Sequence, residues 1–92
     1  MYFHEALALR INELRNDKNM SIYVLAIKSK LSYSTVYYIV TKKTKTPMIH
    51  TLDHIIQGLD ISYREFYDTS YFNQHFPIYP ENRNHNIYNK RL

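Results

Sequence analysis

No cysteine occurs anywhere in the 92 residues, and this constrains the fold more than any other feature. A chain this short buries only about 60 to 65% of the surface its unfolded form exposes. Without cysteine it lacks the disulfides and cysteine-zinc centres that staple many small domains. An apolar core must hold the fold unaided, and there is length for one such core. Stretches free of charged residues are short, eleven residues from Leu31 to Thr41 and twelve from Thr69 to Pro80, and include polar side chains, well short of the roughly 20 apolar residues a membrane span needs. His4, Glu5 and Arg10 interrupt the N-terminal apolar residues, which does not suit a signal peptide, so a cytoplasmic protein without membrane association is expected. The single glycine, Gly58, argues against the Gly-rich phosphate loops of nucleotide enzymes.

Apolar spacing points to helices throughout. Leu7, Ile11 and Leu14 share one face of a first helix from about Phe3 to Lys18, with Asn19 as a left-handed terminator. Ser21 caps a second helix, Ile22 to Lys30, whose inner face is Leu25, Ala26 and Ser29. Leu31 turns inward before Ser32, where a third helix opens and runs to about Thr41 with Val36, Ile39 and Val40 facing in. Lys42 to Thr46 reads as a basic loop. Thr46-Pro47 reads as the start of a fourth helix, because Thr caps well and Pro suits the first helical position. Its stripe is Leu52, Ile55, Ile56 and Leu59. Ser62 and Glu65 have capping-box spacing and open a fifth helix that buries Phe66. Beyond Asp68 the composition turns to Asn, Tyr, His and Pro, and Pro77 and Pro80 forbid a continuous helix. The expected organisation is therefore a helical domain over residues 1–67 and an aromatic, Asn-rich arm over 68–92. In that arm Tyr71, Phe72, Phe76, Tyr79 and Tyr88 can anchor to this subunit or to a neighbour.

The charge is segregated. Six lysines lie between Lys18 and Leu52 with no Asp or Glu among them, whereas the rest of the chain is net acidic. Such a block inside a folded domain suits a polyanionic partner, and a merely solvated lysine face is the competing account. Abundant Tyr, Ile, Asn and Lys, all served by AT-rich codons, is in keeping with an AT-rich bacterial or phage source.

Two short helices joined by a tight turn inside an all-α bundle make a helix-turn-helix candidate. From Arg10 to Tyr67 the chain resembles the Cro and λ-repressor-like family of helix-turn-helix DNA-binding domains. The resemblance is carried, in order, by Ile11, Leu14 and Arg15; Ser21 before Leu25-Ala26; Leu31-Ser32 at the turn; and Ser34-Thr35-Val36 with Ile39. Lys42-Lys43-Thr44-Lys45-Thr46-Pro47 and then Thr51-Leu52 with Ile55, Leu59 and Ile61 complete it. It implies an all-α, five-helix λ-repressor-like domain with a C-terminal arm, and a recognition helix in the major groove of double-stranded operator DNA. By position, Tyr33, Ser34, Thr35, Tyr37 and Tyr38 are then the candidates for base and sugar contacts. Their hydroxyls, methyl and rings lack the bidentate grip of Arg on guanine or Gln on adenine, so DNA shape is expected to share in specificity. Packing against neighbouring helices is the alternative role for these tyrosines. The phosphate candidates are Arg15, Lys28, Lys30, Thr41, Lys42, Lys43, Thr44 and Lys45.

The departures from the family pattern are informative. Ile22 stands where relatives often carry Gln. Lys30 replaces the turn glycine and Lys42 the glycine that commonly ends the recognition helix, each costing on the order of 1 kcal/mol if the backbone there is left-handed. Relatives often pair the Arg of the first helix with a Glu late in the recognition helix. Here Arg15 faces Val40, which leaves that guanidinium free to reach phosphate.

His50 and His54 are one helical turn apart with Asp53 between them, but third and fourth ligands are lacking, so a polar face is expected rather than a metal site. No Ser, His and Asp spacing suggests a nucleophile with its base, and neither catalysis nor a cofactor is expected. The leading expectation is a repressor of phage or mobile-element type, binding as a homodimer through the C-terminal arm. Its length leaves no room for a separate sensing domain, so regulation would rest on concentration, operator overlap or a partner. The alternative is a helix-turn-helix scaffold that binds another regulatory protein through Ile22, Tyr23, Val24 and Ile27 on its second helix.

Overall fold

A computed structural model describes residues 1–78. Five α-helices follow one another: α1 (Phe3–Asp17), α2 (Ile22–Ser29), α3 (Tyr33–Val40), α4 (Ile49–Gly58) and α5 (Tyr63–Tyr67), then a single 3-10 turn at Ser70–Phe72. The fold is all-α and λ-repressor-like, and no strand occurs among the described residues. No helix there is long and apolar enough to cross a membrane. The first three helices end within one residue of the expected positions.

Local chemistry explains the starts. Ser21, Ser32 and Ser62 each accept, at Oγ, a hydrogen bond from a backbone N–H three residues on, at 3.1 Å in all three cases. Each satisfies one of the amides a helix start leaves orphaned. The reciprocal half of the expected Ser62–Glu65 box does not form; that arrangement occurs at α1, where Glu5 Oε1 accepts from the Tyr2 N–H at 2.7 Å. This bond holds the Glu5 carboxyl below its usual range. The start of α4 is a correction: its cap is Met48, not Thr46, and Met48 has no side-chain capping bond. The chain bends at Lys45 and Thr46 and stays non-helical through Pro47 and the extended Met48 before α4 begins.

The ends are more unusual. Asn19, Lys30, Lys42 and Asp60 all have positive φ, between 53° and 69°. Each sits in a Schellman turn: for example Leu31 N–H reaches Ala26 O at 3.0 Å while Lys30 N–H reaches Ile27 O at 3.1 Å. After three of these turns the next residue, Met20, Leu31 or Ile61, tucks against the core. That inward hydrophobic contact offsets the cost of a left-handed side chain. The one glycine is placed elsewhere, inside α4 where that helix crosses α2. A Cβ on Gly58 would lie 2.2 Å from Ser29 Oγ and 3.0 Å from the Ser29 nitrogen. Close approach, not turn geometry, is why glycine is needed there.

The core is the expected set: Leu7, Ile11 and Leu14 from α1, Leu25 and Ala26 from α2, and Val36, Ile39 and Val40 from α3. Leu52, Ile55 and Ile56 from α4, Leu59 just after it, and Phe66 from α5 complete it. Each larger side chain contributes about 1.5 to 3 kcal/mol on burial. Arg10 ties the two ends together, donating from Nε to Phe66 O at 2.7 Å and from Nη2 to Glu65 O at 2.8 Å.

The first part of the expected arm continues this body. Phe72 meets Tyr67 with ring centroids 4.9 Å apart, and Phe76 meets Phe3 at 5.4 Å. Tyr71 donates its hydroxyl to Glu13 Oε1 at 2.8 Å, and burial with that bond pushes its pKa up to about 12. Tyr71, Phe72 and Phe76 thus anchor within this subunit. Tyr79 and Tyr88 lie outside the described residues.

Candidate nucleic-acid interface

The turn between α2 and α3 is short because two local devices meet in it. Lys30 reverses the chain at φ 57°, and Ser32, two residues later, caps α3. Packing of Val36, Ile39 and Val40 into the core turns the opposite side of α3 outward. Ser34 is exposed there, as are Tyr33 and Tyr38, at 49% and 48%. Tyr37 is half-buried, and its ring stacks on Tyr33 at 5.9 Å with 18° between planes. Thr35 is also half-buried, its hydroxyl sharing a 2.7 Å hydrogen bond with Ser32 Oγ.

The lysines rim this helix. Lys28 and Lys30 are exposed at the end of α2, and Lys42, Lys43 and Lys45 are exposed beyond α3. The Tyr38 carbonyl accepts from the N–H groups of Lys43 at 2.8 Å and Thr44 at 3.0 Å. Those bonds fold the loop back on the helix and leave a shallow recess lined by Tyr38, Lys43 and Thr44. Lys45 Nζ donates to Lys42 O at 3.2 Å. The structure thus brings Tyr38 beside Lys43 of the loop, while Lys28 and Lys30 are exposed on the segment that leads into α3, with no carboxylate in the intervening sequence.

Two candidates also make hydrogen bonds within the scaffold. Thr41 donates its hydroxyl to Tyr37 O at 2.6 Å, so its one proton is engaged within α3. Arg15 is not the free guanidinium that the missing ion pair suggested. It donates to Asn12 Oδ1 at 2.8 Å from Nη2 and to Met20 O at 3.1 Å from Nη1. Asn12 in turn donates from Nδ2 to Val40 O at 3.1 Å. A neutral amide relays Arg15 to the end of the recognition helix, where relatives use a carboxylate. The family pattern points to an acidic partner on α3, so nothing in the sequence marks Asn12 for this role.

Behind the loop, His4 is buried on α1, 4% exposed. Burial, and then the positive charge of Lys45, lower its pKa. His50 and His54 do not converge on a metal: His54 Nδ1 bonds Ser29 O at 2.9 Å, so that nitrogen carries the proton. Asp53 accepts from Tyr63 Oη and from Gln57 Nε2, and the Tyr63 bond lowers its pKa. No group of three potential metal ligands occurs among the described residues.

An all-α bundle with a capped two-helix turn, an outward aromatic helix and a lysine rim defines a helix-turn-helix DNA-binding module. Residues 10–70 match the model of the Cro/C1-type helix-turn-helix DNA-binding domain, and the chain belongs to that family. It is a DNA-binding transcriptional regulator rather than an enzyme. Among solved structures it is similar to the wild-type restriction-modification controller protein C.Esp1396I, at 25% identity and TM-score 0.68, covering 74% of this chain and 87% of that one. A tyrosine-to-phenylalanine mutant of the same controller matches equally, with 85% of that chain covered. Comparison with curated protein sequences returns no match.

Proposed function

We propose that the chain regulates transcription by placing α3 in the major groove of an operator duplex. In this reading Tyr33, Ser34, Tyr37 and Tyr38 meet bases and sugars, and Lys28, Lys30, Lys42, Lys43, Thr44 and Lys45 meet phosphates. Arg15, Asn12 and Thr41 hold the helix in place. The observation that carries it is the solvent-facing side of α3 flanked by five exposed lysines. A homodimer on a pseudo-palindrome supplies affinity that one small domain lacks, with recognition helices about 34 Å apart. Tyr71, Phe72 and Phe76 make their ring and hydroxyl contacts within the subunit, and the dimer contact is proposed for the C-terminal arm beyond them. The setting is a repressor of phage or mobile-element type, with restriction-modification control as the alternative that the similar controller protein suggests.

Selection of bound sites from random duplex DNA tests this. Enrichment of a two-fold motif is expected, and truncation after Ile78 should weaken binding and abolish the two-fold preference. No enrichment overturns the proposal. A second reading has its own observation: Tyr23 and Ile27 on α2 are 63% and 57% exposed and Val24 is 41% exposed. Another regulatory protein docking there would give tight protein association without a shift of any duplex.

A further inference from the structure

Between Leu31 and Thr41 there is no Arg, Lys, His, Asn, Gln, Asp or Glu. The groups that read guanine or adenine by paired hydrogen bonds are therefore missing from the helix. In their place stands a strip of rings. Tyr33 stacks on Tyr37, and Tyr37 meets Tyr38 edge-on at 5.8 Å and 62°. No hydroxyl of the three has a hydrogen-bond partner among the described residues, so packing does not use up their polar ends.

On the major-groove edges of the four bases the single apolar group is the C5-methyl of thymine. Aromatic rings complement a methyl by burying it, and a phenol hydroxyl at the ring's end can stay hydrated or bond a nearby acceptor. We infer that the Tyr33, Tyr37 and Tyr38 strip is a receptor for thymine methyl groups, so that each half-site is chosen by where its thymines place their methyls. This rests on the reading of α3 as the groove element, and gives that reading its ligand chemistry. Lys30 and Lys42, at the two ends of α3, supply charge without sequence information, which leaves discrimination to the rings and to Ser34.

The test keeps the protein unchanged and edits the DNA. Each thymine of the selected duplex is replaced in turn by deoxyuridine, which keeps pairing and backbone and removes only the methyl. At one or two positions per half-site affinity should fall about fourfold, the value of burying one methyl group, with no change elsewhere. Tyr33→Ser, at an exposed position, should bind the thymine duplex more weakly and lose the thymine-over-uracil preference at one of those positions. A selected duplex bound equally well with every thymine replaced overturns this inference and leaves the DNA-binding reading standing. Failure to select any duplex overturns both.

Discussion

Asn12 Nδ2 donates to the carbonyl oxygen of Val40 at 3.1 Å, joining α1 to the last turn of the recognition helix. The same amide accepts from Arg15 on its oxygen, which fixes which way it points. An uncharged side chain thus performs a bracing role that a buried ion pair performs only at a desolvation cost.

Removing that amide should loosen the recognition helix. Asn12→Ala leaves Val40 O and part of the Arg15 guanidinium without partners, a loss of about 1 to 3 kcal/mol. Denaturant unfolding should show the midpoint falling at unchanged slope. Asn12→Asp keeps the acceptor for Arg15 but places a carboxylate beside a carbonyl oxygen, so it should not restore stability. An unaltered midpoint for Asn12→Ala would mean the bond is incidental.

At Lys30 and Lys42 stability and DNA binding should part company. Both have left-handed backbone, so Lys30→Gly or Lys42→Gly should each stabilise the fold by about 1 kcal/mol. Each should also weaken binding to all duplexes alike and reduce the salt slope by about 0.9 for every phosphate that is no longer neutralised. Parallel melting and binding titrations check this. A glycine variant that binds DNA as well as the parent would remove that lysine from the interface.

The α2–α4 crossing should refuse a methyl group. Alanine at position 58 gains about 1 kcal/mol of helix propensity, but its Cβ would meet Ser29 atoms at 2.2 to 3.1 Å, and overpacking costs typically about 1 to 3 kcal/mol. Net destabilisation of Gly58→Ala is expected by thermal melting. Ser29→Ala removes a buried hydroxyl that has no hydrogen-bond partner and should be nearly neutral or stabilising. Combining the two should recover part of the loss, since the Ser29 backbone still crowds the new methyl.

His4 should make the fold sensitive to mild acid. Its pKa is lowered in the folded state by burial, with Lys45 and Lys42 acting in the same direction and Glu5 opposing them. Above the unfolded value of about 6.5 both states are neutral there and stability is intact. As pH falls below it, the unfolded chain takes up the proton first and stability declines until the folded pKa is passed. Denaturation at pH of about 7.5 and about 5.5, on either side of that value, should show the difference, and His4→Gln should reduce it. Equal pH dependence in that variant would assign the effect elsewhere.

Sequence and structure agree where a signal is local. The serine caps, the apolar stripes and the left-handed Asn19, Lys30 and Lys42 are all set by neighbours within a few residues. What is not legible depends on distant partners. The Arg10 bonds to the end of α5 and the Asn12 bond to α3 span 56 and 28 residues, so spacing along the chain carries no trace of them. Asp60 is left-handed as well, at a position that the helix spacing does not single out. Tyr71, Phe72 and Phe76 are legible as aromatic anchors, but which subunit they grip depends on the open edge of Phe3, Phe66 and Tyr67.

The central claim is that the exposed lysine rim around α3 holds duplex DNA by its phosphates. Its most direct test is the affinity for the selected duplex measured by fluorescence anisotropy from low to high salt. Contacts from Lys28, Lys30, Lys42, Lys43 and Lys45 predict a log–log slope of about −4.5 for each bound domain, reduced by roughly 1 to 2 per domain in the Lys43→Ala, Lys45→Ala double variant. A slope near zero, or one unchanged by the double variant, would contradict the account.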